Sequence, residues 1–209
     1  MRKTCWEARL RLAKETMEQI RTFIAIELPD SLKLKLSELE TRLKSDGQSP
    51  AKWGKPDSIH LTLKFLGNTA VGKISEIARA MAAAAEAVPP FHLEIKGLGT
   101  FPNPKRVQVV WVGVSGELDK LARLQQGIES RLEPLGFTPE ARPFVPHLTL
   151  ARVNRLASGG ERQQLGQLIA ATEFEAGTIK VTAVSLMKSQ LTREGAIHSR
   201  LASARLKSP

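Results

Sequence analysis

The tetrapeptide His-Leu-Thr-Leu occurs twice in the chain, at 60–63 and at 147–150, 87 positions apart. The two copies contain half of the four histidines of the sequence. In an extended strand alternate side chains point to opposite faces, so the histidine and threonine of each copy share one face and both leucines take the other. Two such strands brought together offer two imidazoles for proton transfer and two hydroxyls for hydrogen bonding. This set predicts a hydrolysis that moves two protons without a metal.

Two other interpretations of the motifs compete with this one. A single His-x-Thr in a strand is more typical of a hydrogen-bonded structural histidine, but a polar pair repeated on two apolar strands is costly without a shared use. Zinc usually has three or four protein ligands, and no Asp, Glu or Cys accompanies either histidine on its face. The motifs therefore favour acid–base chemistry over a metal site.

The same order of strands and helices surrounds each motif. Around the first we predict a strand at 22–28, a helix at 30–43, the motif strand at 58–66 ended by Gly67-Asn68, a helix at 74–88 and a strand at 91–95. Around the second we predict a strand at 107–114, a helix at 117–132, the motif strand at 145–153, a helix at 159–170 and a strand at 179–186. Residues 188–206 read as an added hairpin that turns at Arg193-Glu194-Gly195. The matched order indicates a duplication.

Neither repeat is large enough to cover its own apolar strands, so we expect two pseudo-symmetric lobes packed side by side with the motif strands at their seam. Residues 21–209 are expected to form this single domain. Residues 1–20 form an extension with apolar residues at helical spacing. An amphipathic helix is one interpretation, and a start of translation at Met17 is the other. We expect a chain shortened up to Glu18 to stay folded and active.

Composition restricts the partners and the compartment. A formal net charge of +10 and a pI near 10.0 favour an anionic partner, nucleic acid first, although a basic surface kept only for solubility remains open. Seven Phe, three Trp and no Tyr argue against a broad base-stacking platform. No run approaches the roughly 20 apolar residues of a membrane span. One cysteine suits a reducing cytoplasm.

The motifs and their flanks resemble a known family. His60-Leu61-Thr62-Leu63 is followed by Lys64-Phe65-Leu66-Gly67, the second motif follows Arg142-Pro143-Phe144-Val145-Pro146, and the stretch 22–29 reads TFIAIELP. These residues closely resemble the two-histidine (2H) phosphoesterase superfamily, specifically the RNA 2′,3′-cyclic phosphodiesterases once called 2′-5′ RNA ligases. The resemblance extends from about residue 21 to residue 206.

The resemblance implies a bilobal, duplicated α+β fold in which two antiparallel-type sheets face each other across a central cleft, with helices outside. It implies hydrolysis of RNA 2′,3′-cyclic phosphate ends to 2′-phosphomonoesters with no metal or organic cofactor. Small cyclic nucleotides are a second candidate substrate, and we expect a monomer. His147 would be the proton acceptor and His60 the proton donor. Thr62 and Thr149 would hydrogen-bond the phosphate oxygens as charge builds on them.

The places of four other residues relative to the motifs make them candidates for substrate binding. Arg142 precedes a proline that keeps it extended, so it is a candidate for the phosphate or the base, and Phe144 and Phe23 are candidates for the base. Lys64 shares strand parity with His60 and is expected in the cleft.

The positions of three other polar residues do not predict a place in the site. Arg152 is out of phase with His147 and is not expected in the cleft. His92 and His198 are interpreted as structural or surface residues. Two alternatives to hydrolysis stay open: an RNA-binding protein that grips phosphate ends without turnover, and a 2′-5′ RNA ligase.

Overall fold

The computed structural model of the protein describes residues 18–44, 50–192 and 195–207. The helix considered for residues 1–20 lies almost wholly outside this part, and Gln19 and Ile20 are already in a strand. Arg193 and Glu194 of the predicted turn also lie outside the described residues.

The described part of the chain contains nine strands and four α-helices. The strands are β1 (Gln19–Glu27), β2 (Ala51–Trp53), β3 (His60–Ala70), β4 (Phe91–Phe101), β5 (Val109–Gly116), β6 (His147–Val153), β7 (Glu175–Val181), β8 (Ala183–Thr192) and β9 (Gly195–Arg205). The helices are α1 (Asp30–Lys44), α2 (Ile74–Ala85), α3 (Leu118–Leu132) and α4 (Gly159–Ala171).

All nine strands belong to one antiparallel sheet with the order β7-β4-β5-β6-β3-β1-β8-β9, and β2 lies beside β6. At its centre β3 and β6 pair at a single position, Leu61 with Leu148. The sheet therefore consists of a first half-sheet (β3, β1, β8, β9) and a second half-sheet (β6, β5, β4, β7) joined at a narrow seam. The two sheets expected from the resemblance are thus the halves of one continuous sheet.

The helices cover one face of this sheet. Apolar side chains from all four of them join those of the strands in one buried cluster, which includes Leu36, Ile77, Leu124, Leu165, Ile24, Leu61, Leu148 and Val112. A small separate cluster of Phe23, Ala25 and Met187 lies on the opposite face of the first half-sheet. We call this opposite face, which no described helix covers, the cleft face. The expected α+β class with helices outside is confirmed.

The amphipathic helices follow the sequence pattern closely. In α1 the residues Leu32, Leu36, Leu39 and Leu43 are buried, while Leu34 is 66% exposed. In α3 the predicted stripe of Leu121, Leu124, Ile128 and Leu132 is buried as well. None of the described helices is long and apolar enough to cross a membrane.

Each half-sheet combines strands from both sequence repeats. Strand β4, which ends the first repeat, pairs with β5 of the second, and β8 returns to pair with β1 of the first. The single strand predicted at 179–186 is therefore wrong: β7 ends at Val181 in the second half-sheet, and β8 begins at Ala183 in the first. The apolar run across Thr182 contains no Gly or Pro that would mark the crossing.

The prediction that Gly67-Asn68 ends the first motif strand is also wrong, because β3 continues to Ala70. Gly67 has a φ of 70°, and the register against β1 shifts beside it, between Thr22 and Phe23. Glycine adopts this left-handed conformation at low cost, so here it serves a bulge inside a strand.

Candidate active site

The two motifs begin the two strands that meet at the seam. Their leucines, Leu61, Leu63, Leu148 and Leu150, are buried against the helices, and the histidines and threonines are partly exposed on the cleft face. The strand parity predicted for both motifs is confirmed.

The one bridge at the seam sets how the motifs meet. Extending the Leu61–Leu148 pair by one residue puts Thr62 beside His147 and His60 beside Thr149. Residues directly opposite in an antiparallel pair share a face, and diagonal neighbours are roughly 7–8 Å apart. His60 and His147 are such a diagonal pair, so the two imidazoles lie on the same face on either side of the seam.

Both imidazoles are fixed by the same backbone contact. His60 Nδ1 lies 2.8 Å from the carbonyl oxygen of Ser58, and His147 Nδ1 lies 2.7 Å from that of Val145. A carbonyl oxygen only accepts hydrogen bonds, so each Nδ1 is the protonated donor. Nε2 is then the nitrogen of each ring that exchanges a proton with a substrate.

The surroundings of His60 are dry and aromatic. Its ring stacks on Phe23 with centroids 4.4 Å apart, and the ring of His198 meets it edge-on at 5.1 Å. Burial is the main reason that the pKa of His60 falls from 6.5 to about 4; the charge of His198 lowers it further, while the bond to Ser58 and the charge of Glu27 raise it. His60 is therefore neutral near pH 7 in the ligand-free protein. His147, in contrast, meets the edge of Phe101 at 5.0 Å.

His198, interpreted from the sequence as a structural or surface residue, packs beside the histidine of the first motif. It is half-buried on β9 and packs edge-on against Phe23 at 5.0 Å as well as against His60. Its Nδ1 is buried without a hydrogen-bond partner among the described residues, and burial lowers its pKa. The exposed His92, in contrast, is a surface residue whose Nδ1 lies 3.5 Å from a Glu117 carboxylate oxygen.

A carboxylate also lies beside His60 on the cleft face. Glu27 is the strand partner of His60 in the β1–β3 pair. Arg200 donates to both of its carboxylate oxygens, at 2.8 and 2.9 Å, and Ser185 donates to one of them. The Arg200 hydrogen bond is the main reason that the pKa of Glu27 is lowered. Alternation with Phe23 along β1 places Glu27 on this face, but only the fold brings Arg200 to it.

Lys64 does not lie in the cleft, contrary to the prediction. Thr62 is opposite Ala25 but Lys64 is opposite Ile24, so β3 contains one extra residue there. This bulge turns Lys64 to the helix-covered face, where it is 2% exposed. Its Nζ forms an ion pair with Glu129 of α3 and donates to the carbonyl oxygen of Thr138 at 2.9 Å.

A matching bulge reverses the expectation for Arg152. Thr149 is opposite Trp111 and Arg152 is opposite Val109, so β6 also has one extra residue, and both Leu150 and Ala151 are buried. Arg152 therefore shares the cleft face with Thr149 and is exposed. Strand alternation alone misses it, because a bulge has no signal in this sequence.

The remaining candidates are scattered. Arg142 is exposed in the segment before β6, and Phe144 packs against the core. Phe23 is 3% exposed and supports the ring of His60. The accessible aromatic ring here is that of Phe65, which is 55% exposed and lies 6.3 Å from Phe23.

Among the described residues, no three of the types His, Cys, Asp or Glu are grouped so that they could hold a metal ion. The chemistry available at the seam is thus that of two imidazoles, two hydroxyls and the arginine of β6. Metal independence stays a prediction.

Residues 28–193 match the family model of the 2′-5′ RNA ligase superfamily. A Methanothermobacter thermautotrophicus protein named RNA 2′,3′-cyclic phosphodiesterase is 35% identical over 87% of this chain and 96% of its own length. A Thermotoga maritima protein of the same name is 34% identical over 86% of this chain and 91% of its own.

Solved structures agree with this fold. A crystal structure from Thermus thermophilus superposes with a TM-score of 0.75 at 25% identity, over 90% of this chain and 99% of that one. E. coli LigT in complex with 3′-AMP superposes with a TM-score of 0.73 at 23% identity, over 91% and 100%.

The fold is that of the LigT-like structures, and one His-x-Thr strand lies on each side of its seam. The chain belongs to the 2′-5′ RNA ligase superfamily.

Proposed function

We propose that the protein hydrolyses the 2′,3′-cyclic phosphate end of RNA to a 2′-phosphomonoester. The observation that carries this proposal is the diagonal pair of imidazoles on the cleft face, each with Nδ1 held by a backbone carbonyl. The relatives named RNA 2′,3′-cyclic phosphodiesterase support the choice of substrate.

The reaction needs one proton taken and one proton given. His147 Nε2 takes a proton from water, whose oxygen attacks phosphorus. The bond from phosphorus to the 3′ oxygen breaks, and His60 Nε2 gives a proton to that oxygen. Each positioned acid or base contributes about 10²- to 10⁴-fold to the rate. The direction of the two roles follows the family resemblance.

The donor role requires His60 to be charged when substrate is bound. Burial keeps its pKa at about 4 in the free protein. The cyclic phosphate carries a negative charge, and an opposite charge within a few ångströms favours the protonated imidazole. We infer that the bound substrate raises the pKa of His60, so the imidazole takes up a proton from solvent and is charged in the complex.

Two threonine hydroxyls and one arginine stabilise the negative charge of the phosphate. Thr62 and Thr149 share the face of the histidines and donate to the non-bridging oxygens. Arg152, the cation that the bulge in β6 turns to this face, adds positive charge three residues beyond Thr149. No step passes through a metal or organic cofactor, so a chelator should leave turnover unchanged.

The test is turnover of a short RNA that ends in 2′,3′-cyclic phosphate, with mapping of the product phosphate. His60→Asn and His147→Asn should each lose at least 10²-fold in kcat. His92→Asn removes an exposed histidine outside the site and should keep wild-type turnover.

Two results would contradict the proposal. Full activity of either site variant would remove the acid–base pair from the mechanism. Tight binding of the RNA without any product would instead favour the RNA-binding alternative, for which the basic charge is the supporting observation.

A further inference from the structure

The residues directly opposite the two motif histidines differ in charge. In the β1–β3 pair Glu27 is opposite His60, and in the β5–β6 pair Gly113 is opposite His147. Residues directly opposite in an antiparallel pair share a face, with Cβ atoms about 4.5–5.5 Å apart. The two identical motifs therefore have unlike partners, a carboxylate in the first half-sheet and no side chain in the second.

The second half-sheet has no room for a side chain at position 113. A Cβ atom there would lie 2.6 Å from the carbonyl oxygen of Lys96 in β4, well inside van der Waals contact. Lys96 belongs to the irregular part of β4, where the register against β5 shifts between Ile95 and Leu98. The backbone of β4 thus excludes a charged strand partner for His147.

Two neighbours hold the Glu27 carboxylate in place. Arg200 of β9 donates to both carboxylate oxygens, at 2.8 and 2.9 Å, and Ser185 of β8 donates to one of them. The Arg200 hydrogen bond is the main reason that the pKa of Glu27 is lowered, so the carboxylate is charged near neutral pH. Since β9 lies two strands beyond β1 from the side of β3, the negative end of this ion pair is the end nearer His60.

The other charged groups around His60 act in the opposite direction. The titratable and charged groups that face it are Glu27 with Arg200 behind it, His198 on β9 and, across the seam, His147. Burial, the main cause, and the charge of His198 lower the pKa of His60, whereas the bond to Ser58 and the charge of Glu27 raise it. Among these groups Glu27 carries the one negative charge.

We propose that Glu27 is the positioning residue that makes His60, rather than His147, the proton donor, because its carboxylate stabilises the protonated imidazole of His60 in the substrate complex. The inference rests on the proposed function and adds to it the residue that sets its direction. Gly113 gives His147 no equivalent charge. Glu27 is one-third exposed and already paired with Arg200, so its effect should lie at the low end of the range for an opposite charge, about 1 pH unit.

The test is Glu27→Gln, which removes the charge and keeps the size of the side chain. The alkaline limb of kcat reports the proton donor in the enzyme–substrate complex, so it should move about 1 pH unit lower. At pH values above this limb, kcat should therefore fall about 10-fold. KM should not rise, because the charge of Glu27 opposes binding of an anionic substrate.

Two further variants separate charge from structure. Glu27→Asp keeps the carboxylate and should restore most of the limb. Glu117→Gln removes a carboxylate that is paired with Lys120 at the start of α3, outside the site, and should give the wild-type profile.

NMR supplies a readout that does not need turnover. In ligand-free Glu27→Gln the imidazole C–H signals of His60 should titrate at lower pH than in the wild type, where the pKa is about 4. The signals of His147 should not respond to the substitution, because its strand partner is Gly113.

The outcomes separate this inference from the proposed function. No turnover by the wild type would contradict the function, and the NMR titration of His60 would still decide whether Glu27 acts on it. An unchanged limb and an unchanged His60 titration in Glu27→Gln would overturn the role of Glu27 while the function stands. A higher KM with a loss of kcat at every pH, not restored in Glu27→Asp, would also overturn it, since Glu27 would then serve only the structure.

Discussion

The ring of His60 stacks on Phe23 and meets His198 edge-on, whereas the ring of His147 lies at steeper angles to Phe101 and Trp111. The two motifs are identical in sequence, so their chemical difference comes from neighbours that are distant in the chain. The surroundings of His60 favour the neutral imidazole until an anionic phosphate binds beside it.

The low pKa of His60 makes the stability of the protein pH-dependent. The pKa is about 4 when folded and 6.5 when unfolded, so the unfolded state binds more protons between these values. The contribution of the neutral His60 to the free energy of unfolding is fully present above pH 6.5. It is lost as the pH drops toward 4, by about 3 kcal/mol in all. Urea denaturation at pH 7 and pH 4.5 should therefore show a smaller loss in His60→Asn than in the wild type. Equal losses in the two proteins would contradict the assignment.

His198 should tune His60 through its charge and its bulk. The groups facing His60 are Phe23, His198, the carbonyl of Ser58 and the Glu27 carboxylate with its partner Arg200. His198→Phe removes the like charge but keeps the ring, so the pKa of His60 should rise. His198→Ala also admits water, so the pKa should rise further.

Titration of the imidazole C–H signals by NMR measures both changes directly. Because His60 acts as the proton donor, its pKa sets the alkaline limb of the pH profile of kcat/KM, and this limb should move to higher pH in the same order, from wild type to Phe to Ala. A pKa that stays at about 4 in the Ala variant would mean that His198 does not shape this site.

At the scale of elements, the bulges in β3 and β6 decide which side chains reach the cleft. Sequence alternation placed the first three residues of each motif correctly, because they precede the bulge. It failed for Lys64 and Arg152, which follow it. An extra strand residue is set by pairing with the neighbouring strand, and this pairing is not visible in the local pattern.

The displaced Lys64 forms a buried ion pair that joins β3 to α3 and to the segment before β6. Lys64→Met removes the cation and leaves the Glu129 carboxylate, which otherwise accepts only from Gln125 among the described residues. Removing one partner of a buried pair costs about 3–5 kcal/mol, so the variant should be strongly destabilised in urea denaturation.

The double variant Lys64→Met, Glu129→Leu serves as the control for this pair. It removes both charges and should regain most of the lost stability, because well-packed apolar pairs often replace buried ion pairs at little cost. A single variant as stable as the wild type would show that the pair contributes nothing.

For the whole molecule, the exchange of strands between repeats joins the two halves. The sequence predicted the duplicated order of elements and the motif strands at the seam. It could not predict that β4 and β8 cross to the opposite half-sheet, because strand partners are chosen by long-range packing. His198 and Arg200 come to the site only through this arrangement, since β9 pairs with β8 and β8 with β1.

The exchange predicts that both halves unfold together. Ile77 of α2 is fully buried and packs in the cluster shared by both half-sheets, so Ile77→Ala should cost about 2–5 kcal/mol. Trp53 lies in β2, which pairs with β6, and Trp111 lies in β5 of the second half-sheet. In a Trp6→Phe background their fluorescence therefore reports on the second half-sheet alone. Their fluorescence transition in urea should coincide with the far-UV circular dichroism transition and shift with it to lower urea. A fluorescence midpoint that stays in place while the dichroism midpoint falls would mean that the halves are independent units.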